Sequence, residues 1–276
     1  MRTFERFVIG SFFVLAPVAG CDCGDSDEEG TGAGASTLAT GGPGASTGNG
    51  FTTSNGTGQG TGNGTGGGAC GTTLIGTIRD FQASHPDFED FLGDDPGIVL
   101  EDLGADGKPV YAGQDGNPTT TGQDNFDQWF RDVPGVNQSV ALPLNLTPAG
   151  GNVYSFSDSD FFPIDGQLFG DEGNTHNYHF TYELRTKFLY SGGETFSFTG
   201  DDDLFTFING KLAIDLGGVH GAESASIDLD DQAGQLGITP GNVYSLDFFF
   251  AERHTSESNF RIDTTLVFVD CGEPPQ

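Results

Sequence analysis

Positive charge is scarce in this chain. It carries 10 Lys and Arg against 40 Asp and Glu, a formal net charge of −30. A surface of that sign repels nucleic acid and anionic lipid, so neither is expected as a partner, while it attracts cations and favours solubility. Sulfur is scarce too, with four Cys and one Met. None of the Cys forms a Cys-x-x-Cys pair, which removes the usual thiolate zinc site. His-Glu-x-x-His and Gly-x-Ser-x-Gly are both absent, so zinc-hydrolase and serine-hydrolase signatures are missing. The leading apolar stretch, Phe7 to Val18, is too short to cross a bilayer as a mature helix.

That stretch has another reading. Arg2 and Arg6 precede it, and it ends Val18-Ala19-Gly20-Cys21. The anatomy is that of an export signal over 1–20. Small residues before a Cys resemble the lipobox of bacterial lipoproteins, which implies cleavage before Cys21 and a lipid on its sulfur. The expected location is therefore outside the cytoplasm, anchored by lipid to a bacterial membrane, the outer membrane or cell surface. Residues 21–69 follow, rich in Gly, Thr, Ser and Ala. They cannot bury enough apolar surface to offset the entropy of ordering, so they read as a flexible tether. Cys70 opens the folded region and Cys271 closes it, and a bridge between them would tie the first strand to the last in an oxidising compartment. Cys23 is left over, and 272–276 form a tail.

Between Cys70 and Cys271 the pattern is that of short strands. Leu74–Phe81, Ser139–Leu146, Val153–Phe156, His179–Tyr190, Thr195–Thr199, Leu204–Asn209, Lys211–Leu216, Ala225–Leu229, Val243–Ala251 and Phe260–Val269 are apolar runs bounded by turn residues. Asn209-Gly210 between two such runs is a strong hairpin signal. Leu204–Ile208 is apolar on both faces and belongs inside the fold. Short helices are expected at Phe88–Leu92, behind Ser84-His85-Pro86-Asp87, and at Asn125–Asp132. In the second, Phe126, Trp129 and Phe130 share one face and read as core. Asp102, Asp106-Gly107 and Asp115-Gly116-Asn117 read as turns. The fold class is all-β, an antiparallel β-sandwich with one or two short helices in its N-terminal part.

The densest chemistry lies in Thr199–His220, where Asp201, Asp202 and Asp203 precede the hairpin. Adjacent acids stay ionised together only if a cation, donors or water compensate them. Calcium takes six to eight oxygens from carboxylates, carbonyls and water. Two adjacent Asp reach one ion only if the backbone bends sharply between them, as a cis peptide would allow. Asp215, His220, Glu252 and His254 are possible additional members of the site. Histidines spaced like these serve structural hydrogen bonding more often than catalysis.

HNYHFTYELRTKFLYSGGETFSFTGDDDLFTFINGKLAIDLGGVH (His176 to His220), YSLDFFFAERHTSESNFRIDTTL (Tyr244 to Leu266) and NFDQWFRDVPGVN (Asn125 to Asn137) resemble the fibro-slime domain. That family is similar in turn to the protective-antigen-like β-sandwich domains. The resemblance implies calcium held by Asp201 and Asp202, with Asn259 as the later-loop ligand. Asp203 stands where the pattern usually has Gly. It also implies an extracellular glycan or matrix polysaccharide as partner, with membrane contact only through the lipid. The alternatives are a structural slime or matrix component in which calcium only stabilises the fold and, more weakly, a carbohydrate-active enzyme. No enzymatic activity is expected.

Overall fold

The computed structural model describes residues 71–113 and 117–272. The expected signal peptide, Cys21, Cys23, the tether, Cys70, the Asp115-Gly116 turn and residues 273–276 lie outside them.

In chain order the described elements begin with β1 (Thr73–Phe81), β2 (Gly93–Asp94), the one-turn helix α1 (Gln123–Phe126), β3 (Asn137–Asn145), β4 (Thr147–Gly150) and β5 (Val153–Asp158). Then come β6 (Phe180–Tyr190), β7 (Thr195–Gly200), β8 (Asp203–Ile208), β9 (Lys211–Leu216), β10 (Gly218–Val219) and β11 (Glu223–Asp228). Helix α2 (Leu229–Leu236), β12 (Asn242–Glu252), β13 (Phe260–Thr264) and β14 (Val267–Asp270) complete the chain. A seven-stranded sheet runs β3-β1-β6-β12-β8-β9, with β14 pairing the second half of β6. A five-stranded sheet, β11-β7-β13-β5-β4, faces it. The pairings between these strands are antiparallel.

The two sheets enclose a core dominated by Phe. Phe198 and Phe260 of the small sheet meet Phe248 and Phe250 of the large one with ring centroids 5.1 to 5.9 Å apart. Such tilted and edge-on pairs contribute about 0.5–1.5 kcal/mol each beyond area burial. The small sheet keeps one face in solvent, so β7 alternates buried and half-exposed positions.

The large sheet is covered on its other face as well. Residues 82–113 and 117–136, between β1 and β3, fold back over it and form a second core of Phe88, Ile98, Phe126, Trp129 and Phe130 against Phe205, Phe207 and Phe249. This is why β8 is buried throughout. Leu204 and Ile208 point into the sandwich, while Phe205 and Phe207 point into the second core. Asn209 and Gly210 take φ of 53° and 74°, the left-handed pair that a two-residue hairpin requires.

Several expected elements differ from those observed. Phe88–Leu92 is bent, irregular backbone, not a helix. Asp87 is too buried to cap one: its carboxylate accepts from Thr121 N, Thr121 Oγ1 and Trp129 Nε1. The helix expected over Asn125–Asp132 is reduced to α1 followed by turns, with its three aromatics buried. Phe260–Val269 is two strands, because the chain leaves the small sheet at Thr264 and joins the large sheet at Val267. Helix α2 falls where only the end of a strand was expected. Its signals are an Asp228 side chain that accepts from Asp230 N and a left-handed Gly237 just past its end. Cys271 is disulfide-bonded, and its carbonyl accepts from Ile75 N, 2.7 Å away near the start of β1.

Candidate functional site

The site forms where β7 ends and β8 begins. Gly200, the last residue of β7, lies so close to Asn259 that a Cβ there would run into the Asn259 carbonyl oxygen and the Phe198 ring. That contact brings the loop before β13 against the turn carrying the acids. The Asp201–Asp202 peptide bond is cis, so the two side chains leave a sharply bent backbone.

Each acid then has its own partners. Asp201 accepts from Asn259 N at Oδ1 and from Asn259 Nδ2 at Oδ2, the latter at 3.1 Å. Asp202 accepts from His220 N at 3.1 Å and Arg253 N at 3.0 Å. Asp203 turns the other way. Its two oxygens take Arg253 Nε at 2.6 Å, Arg253 Nη2 at 3.0 Å and Gly218 N at 2.7 Å. Both members of that ion pair are fully buried. Arg253 places its remaining donors on Asp87 O, Thr119 O and Thr119 Oγ1, so all five of its N–H groups are engaged. Its guanidinium lies 4.7 Å from the centre of the Trp129 ring.

The other candidates divide. Glu252, at the end of β12, is buried, and its Oε2 has no hydrogen-bond partner among the described residues. Burial, followed by the charges of Asp202 and Asp201, holds its carboxyl well above the ordinary range. Burial likewise, with Asp203 adding repulsion, pushes Asp202 up to about 7. His220 sits beside Asp202 through its backbone. Its Nδ1 is 3.0 Å from Gly221 O and donates there, so any further contact of the ring falls to Nε2. That nitrogen is buried and has no partner among the described residues. Asp215 faces the loop at β2 instead, accepting from Gly97 N at 2.8 Å and Gly217 N at 3.1 Å. His254 is directed at Glu89, 3.9 Å away, a residue that also accepts from Thr255 N and contacts His179. The structure thus brings together Asp201, Asp202, Asn259, His220 and Glu252. Asp203 is engaged with Arg253, while Asp215 and His254 take the partners just named.

A cleft of about 440 Å³ opens on the outer side of Asn259 and Ser258. Its far wall carries Phe162, His176 and Tyr178. Phe162 stacks on His176 with centroids 4.0 Å apart and planes 10° from parallel. Asp165 Oδ2 fixes the imidazole at 2.7 Å. Sequence reasoning missed this wall because its aromatics lie in a Gly-rich loop without periodicity. The separation of Phe162 from His176 in the chain gives no hint that they stack.

Comparison with known proteins places the chain. Residues 163–275 match the PA14 domain. Among curated relatives, protein psiR of Dictyostelium discoideum is 43% identical over 211 residues, covering 68% of this chain and 21% of that protein. Protein psiD of the same organism is 42% identical over 214 residues, covering 71% of this chain and 41% of psiD. The chain therefore spans between about a fifth and two fifths of the length of these relatives. Among solved structures, a PA14 sugar-binding domain from an RTX adhesin aligns with 72% of this chain and 99% of its own, at 11% identity and a TM-score of 0.33. The match over residues 163–275, which lie within the antiparallel sandwich, relates that part of the chain to the PA14 domain.

Proposed function

We propose that the sandwich is a carbohydrate-binding module in which Asp201, Asp202 and Asn259 would hold a calcium ion and the cleft beside Asn259 would receive the sugar. The observation that carries this reading is the buried, unpartnered Oε2 of Glu252 among the carboxylates of Asp201 and Asp202. Buried carboxylates without compensation are unstable together, and a divalent cation is the simplest compensation. Among the described residues, no three His, Cys, Asp or Glu side chains form a closed metal cage. Two carboxylates and the Asn259 amide oxygen are instead hard oxygen donors of the kind that calcium takes. When bound, calcium would supply a Lewis-acidic point for sugar hydroxyls.

The chain's own residues do the rest. Gly200 and Asn259 hold the acids in place. Arg253 N and His220 N orient Asp202. The stacked Phe162–His176 pair offers an apolar face of the kind that sugar rings pack against. A glycan array probed with the whole chain, with calcium and with chelator, tests the proposal. Calcium-dependent signals are expected, and silence in both conditions would sink it.

A second reading has its own support. All four oxygens of Asp201 and Asp202 already accept one N–H each. That favours an ion which only stiffens the fold, as in a structural matrix component. This reading predicts a calcium-dependent melting temperature without glycan binding. We also propose export and lipid attachment through Cys21, with the Gly-rich segment as tether and Cys70 as partner of Cys271. Metabolic labelling with a fatty acid in the wild type and in Cys21→Ala tests the anchor; equal labelling would rule it out.

A further inference from the structure

Positive charge is not spread evenly over the fold. Four of the chain's ten Lys and Arg line one cleft of about 380 Å³ on the outer face of the large sheet: Arg79, Lys108, Arg185 and Lys187. Arg79 comes from β1, and Arg185 and Lys187 from β6, where residues two apart project from the same face. Lys108 descends from the 82–136 segment, which leaves this part of the face uncovered. The cleft has no residue in common with the Asp201–Asp202 site, and only the choice of a saccharide as carrier of the anion rests on the carbohydrate-binding reading.

Four carboxylates line the cleft with these four cations, and each accepts at least one hydrogen bond. Glu183 takes Arg79 Nη1 at 2.9 Å and Lys108 Nζ. Asp247, directly across the ladder from Arg185, takes Arg185 Nε at 2.9 Å. Asp132 takes Arg79 Nε at 2.8 Å. Asp270 accepts from Gly272 N through Oδ1 at 3.2 Å. What remains is a surplus of donors. The exposed Lys187 makes no side-chain hydrogen bond or ion pair with any described residue. Both terminal nitrogens of Arg185 are without an acceptor among the described residues. The other four described cations, Arg131, Lys211, Arg253 and Arg261, each have an acid within 4.0 Å. Room is made for this arrangement: Gly107, at φ +73°, passes so close to the Arg185 guanidinium that a Cβ there would overlap it. Lys108 is held below the ordinary range, first by burial and then, against the pull of Glu183, by repulsion from Arg79 and Arg185.

We infer that this cleft binds an oxyanion group, a carboxylate or a sulfate, presented by an acidic saccharide. Arg185 would grip it through the two free guanidinium nitrogens, the fork geometry suited to such groups. Lys187, one pleat along the same strand, would neutralise it as a point charge. On a chain of net charge −30, this is where an anion can approach donors that no carboxylate already occupies.

The test is calorimetric titration of the whole chain at low ionic strength with tri-galacturonate, with inorganic sulfate and with an uncharged galactose oligomer. Tri-galacturonate or sulfate is expected to bind saturably, and the uncharged oligomer at least tenfold more weakly. Whichever anion binds tighter identifies the group preferred. Added salt should weaken binding, since these charges are exposed. In Arg185→Gln/Lys187→Gln, binding should fall at least tenfold with the melting temperature kept. Chelator should leave it unchanged, which separates this site from the one at Asp202. Failure of both anions to bind, or equal binding by the double variant, would overturn the inference.

Discussion

Replacing Arg253 with Met tests the reasoning about the site most severely outside metal binding. Arg253 is fully buried and donates five hydrogen bonds, two of them to a carboxylate that is itself fully buried. Met keeps the volume of the stem but leaves Asp203 as a charge in the interior and orphans two carbonyls and a hydroxyl. Removing one partner of a buried pair costs about 3–5 kcal/mol. That is a large share of the roughly 5–15 kcal/mol by which domains are stable. With a urea dependence of about 2–3 kcal/mol per M, the midpoint should fall by roughly 1–2 M. Trp129 is the only Trp in the chain and lies under the guanidinium, so its fluorescence follows the transition. Removing both charges, in Asp203→Leu/Arg253→Met, should recover more than half of the loss, because no isolated charge then remains. A loss below about 1 kcal/mol in Arg253→Met would refute the account. So would a double variant no better than the single one.

Three further outcomes follow from the same geometry. Gly200→Ala forces a methyl against a backbone oxygen of Asn259 and should cost about 1–3 kcal/mol while weakening calcium binding; chemical denaturation and a calcium titration check it. Asp80 is buried and its carboxyl is pushed up to about 6 from 3.8, by burial above all. Because the folded value is the higher one, its stabilising share is complete below about pH 4 and is lost as pH rises through about 6. Melting curves from pH 4 to 8 should show that slope in the wild type and a flatter profile in Asp80→Asn. Phe162→Ala removes one face of the cleft beside Asn259, so glycan binding should fall several-fold while the calcium response of the melting temperature is kept; unchanged glycan affinity counts against the cleft as the sugar site.

Much of this fold could be read before the structure was known, for identifiable reasons. The Asn209-Gly210 turn needs positive φ at both positions, and it located β8 and β9 to within a residue at most boundaries. The doubly apolar run Leu204–Ile208 announced a strand buried on both faces, though nothing indicated that 82–136 supplies the second cover. That segment scatters its apolar residues among Asp, Gly and Pro, so periodicity fails, and only Phe126, Trp129 and Phe130 were legible as core. The three consecutive acids marked the site but not its division of labour. Asp202 and Asp203 are neighbours in the chain with different partners because the Arg253 side chain, distant in sequence and one residue past the end of β12, pairs with Asp203, while only its backbone N–H reaches Asp202. Helix α2 was hidden by its own composition, since only Leu229 and Leu236 of its eight residues are buried and the face between them is polar, which leaves the apolar period too short to read. The aromatic wall beside Asn259 depends on loop packing, which carries no sequence period.

The central claim is that Asp201 and Asp202 hold calcium. Its most direct test is calorimetric titration of the chelator-treated whole chain with calcium, with Asp202→Asn alongside. One saturable site is predicted in the wild type, with a gain of about 2.7 kcal/mol in stability at calcium a hundredfold above its dissociation constant. In Asp202→Asn that site should be lost or at least tenfold weaker. No binding heat and no change in melting temperature at millimolar calcium, or equal binding by Asp202→Asn, would contradict the account.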